Sequence, residues 1–263
     1  MSEEKKYDIK DKVVLITGAS VGIGRELAYT FAVQGAKVAV NYNKSEEEAE
    51  KTLQLVKNHS PDSALFKADV SDISAVQAMV EQINAKYGRI DVLINNAGVT
   101  DFIPFKDLDS VTEPIWDKIM DINVKGNFFC SKAVLPIMKN IGYGVIINIS
   151  SVAGVKPSGS SIPYSVSKAA ILHLSKCLAN SFAPEVRVNC VVPGPIAETR
   201  WNDPLVENGA YHGLDAVYEN NKNNSLLNCL GYPEDIAEAC LFLVKNSRFT
   251  TGAVLAVDGG ACL

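Results

Sequence analysis

The sequence predicts an α/β protein in which one parallel sheet of seven strands is covered by helices on both faces. Seven short apolar runs follow one another along the 263 residues, and longer stretches with helical periodicity separate them. Several of the runs are apolar at consecutive positions instead of alternating with polar residues. Parallel strands buried on both faces have this continuous apolar composition, whereas half-exposed strands alternate.

The first elements along the chain indicate why the strands should be parallel. The run "KVVLITG" (12–18) is followed by an apolar stripe at helical spacing that ends at Gly35, a residue type suited to the left-handed helix cap. The stripe consists of Ile23, Leu27, Phe31 and Ala32. A second run, "AKVAVNY" (36–42), follows directly. A strand, a helix and a strand within about 30 residues form a βαβ unit, whose strands are parallel.

The same alternation continues to the C-terminus. The remaining strand candidates are "ALFKADV" (64–70), "DVLINNAG" (91–98), "GVIINIS" (144–150), "VRVNCVVPG" (186–194) and "GAVLAVDGG" (252–260). Because neither a composition break nor an internal repeat interrupts the pattern, residues 1–263 are expected to form a single doubly wound domain of the Rossmann type. Residues 197–228 depart from the pattern, since they form a long segment rich in polar residues and punctuated by Pro and Gly. Such loops are usually functional, and we expect a substrate lid there.

Composition and charge exclude several classes of function. The net charge is -5, and Lys and Arg are scattered along the chain. This distribution disfavours binding to nucleic acid or to an anionic membrane. The N-terminus, "MSEEKKYDIKDK", is charged where a secretory signal would be apolar, and no run of 18 apolar residues follows. The sequence therefore predicts a soluble, cytoplasmic protein.

The cysteines indicate neither disulfides nor a metal site. The chain contains six of them, without close pairs and without a histidine at ligand spacing. Reduced, buried thiols are the better interpretation. We therefore expect no bound metal.

The stretch "TGASVGIG" (17–24) has the composition of an anion-binding turn. It lies where the first strand should end and the first helix begin, and the free amides of a helix N-terminus bind phosphate. Gly18 permits the turn, while Gly22 and Gly24 allow a pyrophosphate to approach the backbone closely. The candidate contacts are Gly18, Ser20, Val21, Gly22, Ile23 and Gly24.

The end of the second predicted strand favours NADP(H) over NAD(H). An NAD site usually has a carboxylate there for the ribose hydroxyls, but this sequence has Tyr42, followed by Asn43 and Lys44, which would not repel a 2′-phosphate. The acidic residues that come next are explained by a helix start, where Ser45 and Glu48 could form a capping box. Against NADP(H), Val21 stands where a basic residue would strengthen phosphate binding.

Three polar side chains suggest proton transfer. Tyr164 and Lys168 lie four residues apart in "YSVSKAAILHLSKCLANSF", a stretch with helical period, so they share one helix face. A nearby ammonium favours the phenolate, which would make Tyr164 an acid or base for a carbonyl or alcohol oxygen. Ser151 directly follows a strand, at the sheet edge where α/β proteins bind ligands, and could hydrogen-bond the same oxygen.

Taken together, these motifs resemble the short-chain dehydrogenase/reductase family over nearly the whole chain. The TGxxxGxG motif of the family is matched by "TGASVGIG", its NNAG by residues 95–98, and its YxxxK by Tyr164 and Lys168. Its serine matches Ser151, its catalytic asparagine matches Asn123 of "MDINVKG", and its PG turn matches residues 193–194.

The resemblance implies roles for these residues. Tyr164 is the acid/base, Lys168 lowers its pKa and binds the nicotinamide ribose, Ser151 orients the substrate oxygen, and Asn123 holds a water that links Lys168 to solvent. The implied cofactor contacts are Asp69 and Val70 at the adenine, Asn95, Ala97 and Gly98 at the adenosine ribose, and Pro193, Gly194 and Ile196 at the nicotinamide. The family is mostly tetrameric or dimeric, so the resemblance also implies a homo-oligomer.

Two departures from the family pattern concern the contact with the nicotinamide carboxamide and the packing of subunits or of the lid. Relatives often have a threonine four residues after the PG turn, but this sequence has Glu198 there and Thr199 next. A Pro-Arg pair seen in many relatives before "GYPEDIA" is absent.

The sequence therefore predicts an NADP(H)-dependent oxidoreductase that acts on a small-molecule carbonyl or secondary alcohol. Two alternatives stay open: a sugar or polyol dehydrogenase working in the oxidative direction, and a catalytically weak NADP(H)-binding regulator. Segments 152–163 and 197–228 are expected to wall the substrate pocket, but they do not identify the substrate.

Overall fold

The fold is that of a doubly wound α/β protein. The structure is a computed structural model that describes residues 7–199, 203, 207 and 212–263. The strands are β1 (Val13–Ile16), β2 (Lys37–Tyr42), β3 (Ala64–Lys67), β4 (Val92–Asn95), β5 (Gly144–Ile149), β6 (Val186–Pro193) and β7 (Val254–Val257). They form one parallel sheet in the order β3-β2-β1-β4-β5-β6-β7. This arrangement confirms the predicted fold class, although several strands are shorter than the predicted runs.

Helices connect the strands on both faces of the sheet. They are α1 (Gly22–Val33), α2 (Glu46–Lys57), α3 (Ile73–Tyr87), α4 (Glu113–Met120), α5 (Gly126–Ile141), α6 (Ile162–Phe182), α7 (Leu214–Asn223) and α8 (Pro233–Lys245). A π-helical turn (Asp121–Lys125) joins α4 to α5, and a 3-10 turn (Val152–Gly154) follows β5.

Alternate residues of each strand face the two cores. On β1, Val14 and Ile16 pack with α1, α2 and α8, whereas Val13 and Leu15 pack with α3, α5 and α6. The first core contains Phe31 of α1, and the second contains Met138 of α5, both fully buried. The continuous apolar composition of the strands is explained by these two covered faces.

The strand order reverses between β1 and β4. From β1 the sheet continues through β2 to one edge, and from β4 it continues through β5 to the other edge. Ligands of open α/β sheets bind at such a switch point, outside the carboxyl ends of the strands. The glycine turn follows β1, and residues 95–98 span the end of β4 and the loop after it. Both segments therefore reach the same crevice.

Two local predictions were wrong. Ser45 makes no side-chain capping hydrogen bond, and the Glu48 carboxylate pairs with Arg25 at 2.7 Å. A guanidinium gives a carboxylate a stronger, charge-assisted hydrogen bond than a backbone amide does. The cysteines were expected to be buried, but Cys177 and Cys229 are exposed, since they lie on the outer face of α6 and in the loop before α8.

In the described part of the chain, no helix has the length and apolar composition needed to cross a membrane.

Candidate active site

The glycine turn requires glycine at two positions for different reasons. Gly18 has a φ of 61°, and a Cβ there would lie 2.9 Å from the Cα of Ala97. At Gly24 a Cβ would lie 2.3 Å from the carbonyl oxygen of Gly18. Any larger residue would therefore separate β1 from α1 or from the end of β4.

The N-terminus of α1 is open to an anion. Val21 occupies the N-cap position and provides no side-chain cap, so the first amides of the helix are left for a ligand. The guanidinium of Arg25, in the first turn of the helix, is bound to the Ser20 carbonyl at 2.8 Å and to Glu48. These features fit the pyrophosphate of a dinucleotide.

Thr17 fixes the end of β4 against the glycine turn, and sequence reasoning did not single it out. Its Oγ1 accepts hydrogen bonds from the backbone amides of Asn96 and Ala97, each at 3.0 Å. The Asn96 side chain returns hydrogen bonds to the carbonyls of Thr17 and Gly18. The crevice between β1 and β4 is therefore held by partly buried polar contacts. A threonine before the glycines of the motif was the available signal.

Asn41, also missed from the sequence, orients the turn from the side of β2. It is buried, its Oδ1 accepts the Gly18 amide at 3.1 Å, and its Nδ2 donates to the carbonyls of Phe66 and Ala68. One side chain thus joins the carboxyl ends of β1, β2 and β3. A polar residue within an otherwise apolar strand was the only signal for it.

The predicted adenine side brings Asn43 and Asp69 together. The Nδ2 of Asn43 donates to Asp69 at 2.7 Å, and Ser71 donates to the other carboxylate oxygen. Burial acts to raise the pKa of Asp69, but the hydrogen bonds from Ser71 and Asn43 outweigh it and the pKa is lowered. The positive charge of Lys44 acts in the same direction. Val70 is buried and packs against Gly126.

The side chain of Asn95 faces the protein interior and not the crevice. It is buried, and its Nδ2 donates to Asn148 at 2.8 Å and to Ser131 at 3.0 Å. Asn148 in turn donates to Ser175 of α6. The contact of Asn95 with the adenosine ribose stays a prediction, and its side chain already serves the packing between the sheet and the helices.

Ser151 and Tyr164 meet at the carboxyl edge of β5. Ser161 caps α6 and accepts the Tyr164 amide, so the tyrosine begins the helix in a fixed position. Tyr164 is 7 % exposed. Burial raises its pKa to about 12, and a side-chain hydrogen bond with Ser151 acts in the opposite direction. The phenol is therefore protonated at neutral pH.

Lys168 lies one turn further along α6, on the face shared with Tyr164. Its Nζ is 5.6 Å from the centre of the Tyr164 ring and donates to the Ile149 carbonyl at 3.0 Å. Burial lowers the pKa of Lys168 to about 8. We predicted that Lys168 would lower the pKa of Tyr164, but burial of the phenol dominates in the protein alone.

Asn123 lies in the π-helical turn, a conformation often found at functional sites. Its side-chain Oδ1 accepts a hydrogen bond from the Val99 backbone amide. Its Nδ2 donates to the Val99 carbonyl and to the Ser167 hydroxyl. A Cβ on Gly98 would lie 3.5 Å from both Asn123 Oδ1 and Lys168 Nζ, so the three residues adjoin.

Asn127, missed from the sequence, donates to the Asn123 carbonyl at 2.8 Å, and its buried Oδ1 has no hydrogen-bond partner among the described residues.

The PG turn follows β6 at the same edge of the sheet. Pro193 pairs with Val257 of β7, and a Cβ on Gly194 would lie 2.7 Å from the Cα of Asp258. Ile196 is buried and forms a parallel bridge with Gly231. A cavity of about 160 Å³ lies beside this turn, lined in part by Ile196 and Leu227.

The segment after Ser151 is tied to the C-terminus. Lys156 donates a hydrogen bond to the carbonyl of Ala261, and Asp258 accepts the backbone amides of Gly260 and Cys262.

Of the predicted lid at 197–228, residues 200–202, 204–206 and 208–211 lie outside the described part of the chain. Within that part, no group of three or more His, Cys, Asp or Glu side chains is placed to hold a metal ion.

Comparisons with known proteins identify the family of the chain. The sequence model of the family described as "short chain dehydrogenase" matches residues 12–209. The granaticin polyketide synthase "putative ketoacyl reductase 2" of Streptomyces violaceoruber is 41% identical over 251 residues, which cover 95% of this chain and 96% of the relative. The 3-oxoacyl-(acyl-carrier-protein) reductase FabG of Staphylococcus aureus is 36% identical, with 95% and 97% covered.

Solved structures of similar proteins have the same fold. Levodione reductase superposes with a TM-score of 0.89 at 29% identity, covering 97% of this chain and 98% of that chain. ElxO with NADP bound superposes with a TM-score of 0.85 at 30% identity, covering 95% and 98%. The chain therefore belongs to the short-chain dehydrogenase/reductase family of oxidoreductases, whose members bind a nicotinamide cofactor and act on small molecules.

Proposed function

We propose that this protein is an NADPH-dependent carbonyl reductase in which Tyr164 gives a proton to the substrate oxygen. The observation that carries the proposal is the meeting of Ser151, Tyr164 and Lys168 at the carboxyl edge of β5. When bound, the dinucleotide supplies hydride to the carbonyl carbon. The residues of the chain bind the substrate oxygen and manage its proton.

Ser151 and Tyr164 would hold the carbonyl oxygen between two hydroxyl groups. Because burial keeps the Tyr164 phenol protonated at neutral pH, it is ready to donate a proton to the developing alkoxide. Oxidation of an alcohol would require the phenolate instead. This difference supports reduction as the direction favoured at neutral pH.

Lys168 would bind the nicotinamide ribose and stabilise the phenolate once the proton has left. In water-poor surroundings an ammonium group stabilises a neighbouring anion more strongly than at a surface. Asn123 adjoins Lys168 at Gly98. We propose that a water held by Asn123 returns the proton from solvent by way of Lys168.

The cofactor contacts proposed on the glycine turn fit a pyrophosphate, since Val21 leaves the first amides of α1 uncapped. Tyr42 is buried and gives no carboxylate to a ribose hydroxyl. Lys44 is exposed beside Asn43 and supplies positive charge for a 2′-phosphate. Asp69 would contact the adenine with Val70, while Ala97 and Gly98 would line the adenosine ribose. Pro193, Gly194 and Ile196 would cover the nicotinamide.

The substrate class is inferred from the relatives. Two similar proteins have names that describe a ketoacyl reductase and a 3-oxoacyl-(acyl-carrier-protein) reductase. We therefore propose 3-oxoacyl thioesters, or ketones of similar polarity, as substrates. The segment 197–228, which contains α7, would cover the substrate as a lid.

The test is NADPH consumption across 3-oxoacyl thioesters, keto esters, diketones, aryl ketones and ketoses, with NADH in parallel. The proposal expects turnover on one carbonyl class with NADPH preferred over NADH. Tighter binding of NADH than of NADPH would refute the cofactor assignment. Binding of NADPH without turnover on any carbonyl would favour the regulatory alternative.

Sugar oxidation is the second candidate, because glucose 1-dehydrogenase 2 of Bacillus subtilis is 32% identical over 97% of this chain. The raised pKa of Tyr164 argues against rapid oxidation at neutral pH. Faster oxidation of glucose or a polyol than reduction of any carbonyl at pH 7 would select this candidate.

We further propose a homo-oligomer, a tetramer or dimer, in which the helices carrying Asn123 and Tyr164 pack against their copies. Trp116, Phe128 and Val166 are 37–41% exposed on α4, α5 and α6. Their apolar surface supports contact through these helices. A monomeric mass in light scattering at micromolar concentration would refute this.

A further inference from the structure

The segment after the PG turn contains a residue in an unfavourable backbone conformation. Glu198 has a φ of 54°, in the left-handed region that residues other than glycine seldom adopt. Such a conformation persists only where neighbouring contacts impose it. The contacts made by this turn therefore show what holds it in place.

One contact comes from the lid helix α7. The hydroxyl of Tyr218 accepts a hydrogen bond from the backbone amide of Glu198 at 3.0 Å. The next residue toward the N-terminus, Val217, is 1% exposed and is the buried residue of α7. Adjacent residues of α7 thus provide the apolar anchor of the helix and its hydrogen bond to the turn.

On the other side of Glu198, the chain reaches the glycine turn. A Cβ placed on Gly22 would lie 3.5 Å from the Cγ2 of Thr199, which is an ordinary van der Waals distance. A phosphate bound by the first amides of α1 would therefore have Thr199 as a neighbour.

The preceding residues are fixed independently of α7. The Ala197 amide donates to the Gly231 carbonyl at 2.9 Å, and Ile196 forms its bridge with the same residue. The Thr199 hydroxyl reaches the Ile196 carbonyl at 3.4 Å, a long and therefore weak hydrogen bond, so the end of the turn is held less firmly than its start. Because these contacts hold the start of the turn, a change at Tyr218 should act on its end, at Glu198 and Thr199.

The geometry points to Tyr218 as a positioning residue that holds Thr199 against the glycine turn and so couples the lid helix to dinucleotide binding. The inference rests on the proposed dinucleotide site. Tyr218 acts through the backbone of Glu198 and need not touch the cofactor. Loss of its hydroxyl should weaken dinucleotide binding with little effect on the stability of the fold.

The test compares Tyr218→Phe with Tyr87→Phe in the full-length protein. Tyr87 is a matched control, because its hydroxyl donates to a backbone group, the Asp62 carbonyl at 2.7 Å, at the far edge of the sheet. Dissociation constants for NADPH and NADH are measured by nicotinamide fluorescence, which does not require turnover. We expect Tyr218→Phe to raise the Kd of the preferred dinucleotide about fivefold, the usual effect of one hydrogen bond. Tyr87→Phe should leave it unchanged.

The path through Thr199 is tested by a double-mutant cycle. If Tyr218 acts through Thr199, the Tyr218→Phe and Thr199→Ala double variant should bind no more weakly than the weaker-binding single variant. If the Kd increases of the two single variants multiply in the double variant, the path through Thr199 is wrong. An unchanged Kd in Tyr218→Phe would overturn the inference. The same Kd shift in a protein without carbonyl turnover would support the inference while refuting the proposed reaction.

Discussion

The Nζ of Lys168 lies 5.6 Å from the centre of the Tyr164 ring, and both side chains are less than a tenth exposed. Burial favours the neutral form of each group. It therefore lowers the pKa of Lys168 to about 8 and raises the pKa of Tyr164 to about 12. A phenol that is protonated at neutral pH next to an ammonium with a weakened hold on its proton is suited to proton donation.

Tyr164→Phe should abolish most carbonyl reduction while leaving the dinucleotide site intact. Removal of a general acid typically lowers a rate about 10²- to 10⁴-fold. Turnover is followed by NADPH absorbance, and NADPH affinity by fluorescence. Retention of more than about a tenth of the wild-type kcat would exclude Tyr164 as the proton donor.

The two reaction directions should respond differently to pH. Because the pKa of Tyr164 is raised to about 12, the phenolate fraction rises about tenfold per pH unit below that value. Alcohol oxidation should therefore accelerate from about pH 6 to about pH 8, whereas the protonated phenol needed for reduction stays saturated. Initial rates in both directions at saturating substrates test this. A parallel rise in both rates would contradict the assignment.

Lys168→Met should inactivate the enzyme and stabilise the fold at neutral pH. Folding lowers the pKa of Lys168 from 10.5 to about 8. The buried ammonium therefore destabilises the folded state fully below about pH 8, and this destabilisation disappears as the pH rises from about 8 to 10.5. The pKa shift corresponds to a destabilisation of about 3 kcal/mol, which Lys168→Met removes. The variant also loses the hydrogen bond to Ile149, which lowers the free energy of unfolding by about 1 kcal/mol. We expect a gain of about 2 kcal/mol at pH 7 that disappears above pH 10.5.

Chemical denaturation of wild type and Lys168→Met at both pH values measures that gain. Lys176→Met is the control, since Lys176 is exposed on the same helix. A loss of stability in Lys168→Met at pH 7 would show that the buried ammonium contributes more to the fold than its desolvation costs.

Thr17→Val should destabilise the crevice without changing its shape. Valine has nearly the same volume, but the amides of Asn96 and Ala97 would lose their shared acceptor. We expect a loss of about 2 kcal/mol in the free energy of unfolding. Thr30→Val is the control, because the partner of the Thr30 hydroxyl among the described residues is Glu26 on its own helix. Equal stabilities of the two variants would remove the role assigned to Thr17.

Sequence reasoning predicted the elements whose signals are local. Apolar runs identified the seven strands, and the glycine spacing placed the turn after β1. The Tyr164 and Lys168 spacing placed both side chains on one helix face. These features depend on periodicity or on backbone requirements that a short stretch of sequence displays.

The supports of the site could not be predicted in this way. Thr17, Asn41 and Tyr218 act through hydrogen bonds to residues on other elements, and such partners leave no periodic pattern in the sequence. Glu48 gave a wrong prediction because its partner Arg25 lies 23 residues away. The raised pKa of Tyr164 could not be predicted, since burial of the phenol depends on the whole fold.

The most direct measurement uses NADPH that carries deuterium at the transferable position of its nicotinamide ring. The enzyme, a 3-oxoacyl thioester and this cofactor are incubated, and the alcohol product is examined by mass spectrometry and NMR, with Tyr164→Phe in parallel. Hydride transfer predicts one deuterium on the carbinol carbon and one NADP⁺ formed per alcohol, with both lost in the variant. An alcohol without deuterium, or equal product from Tyr164→Phe, would contradict the proposed reaction.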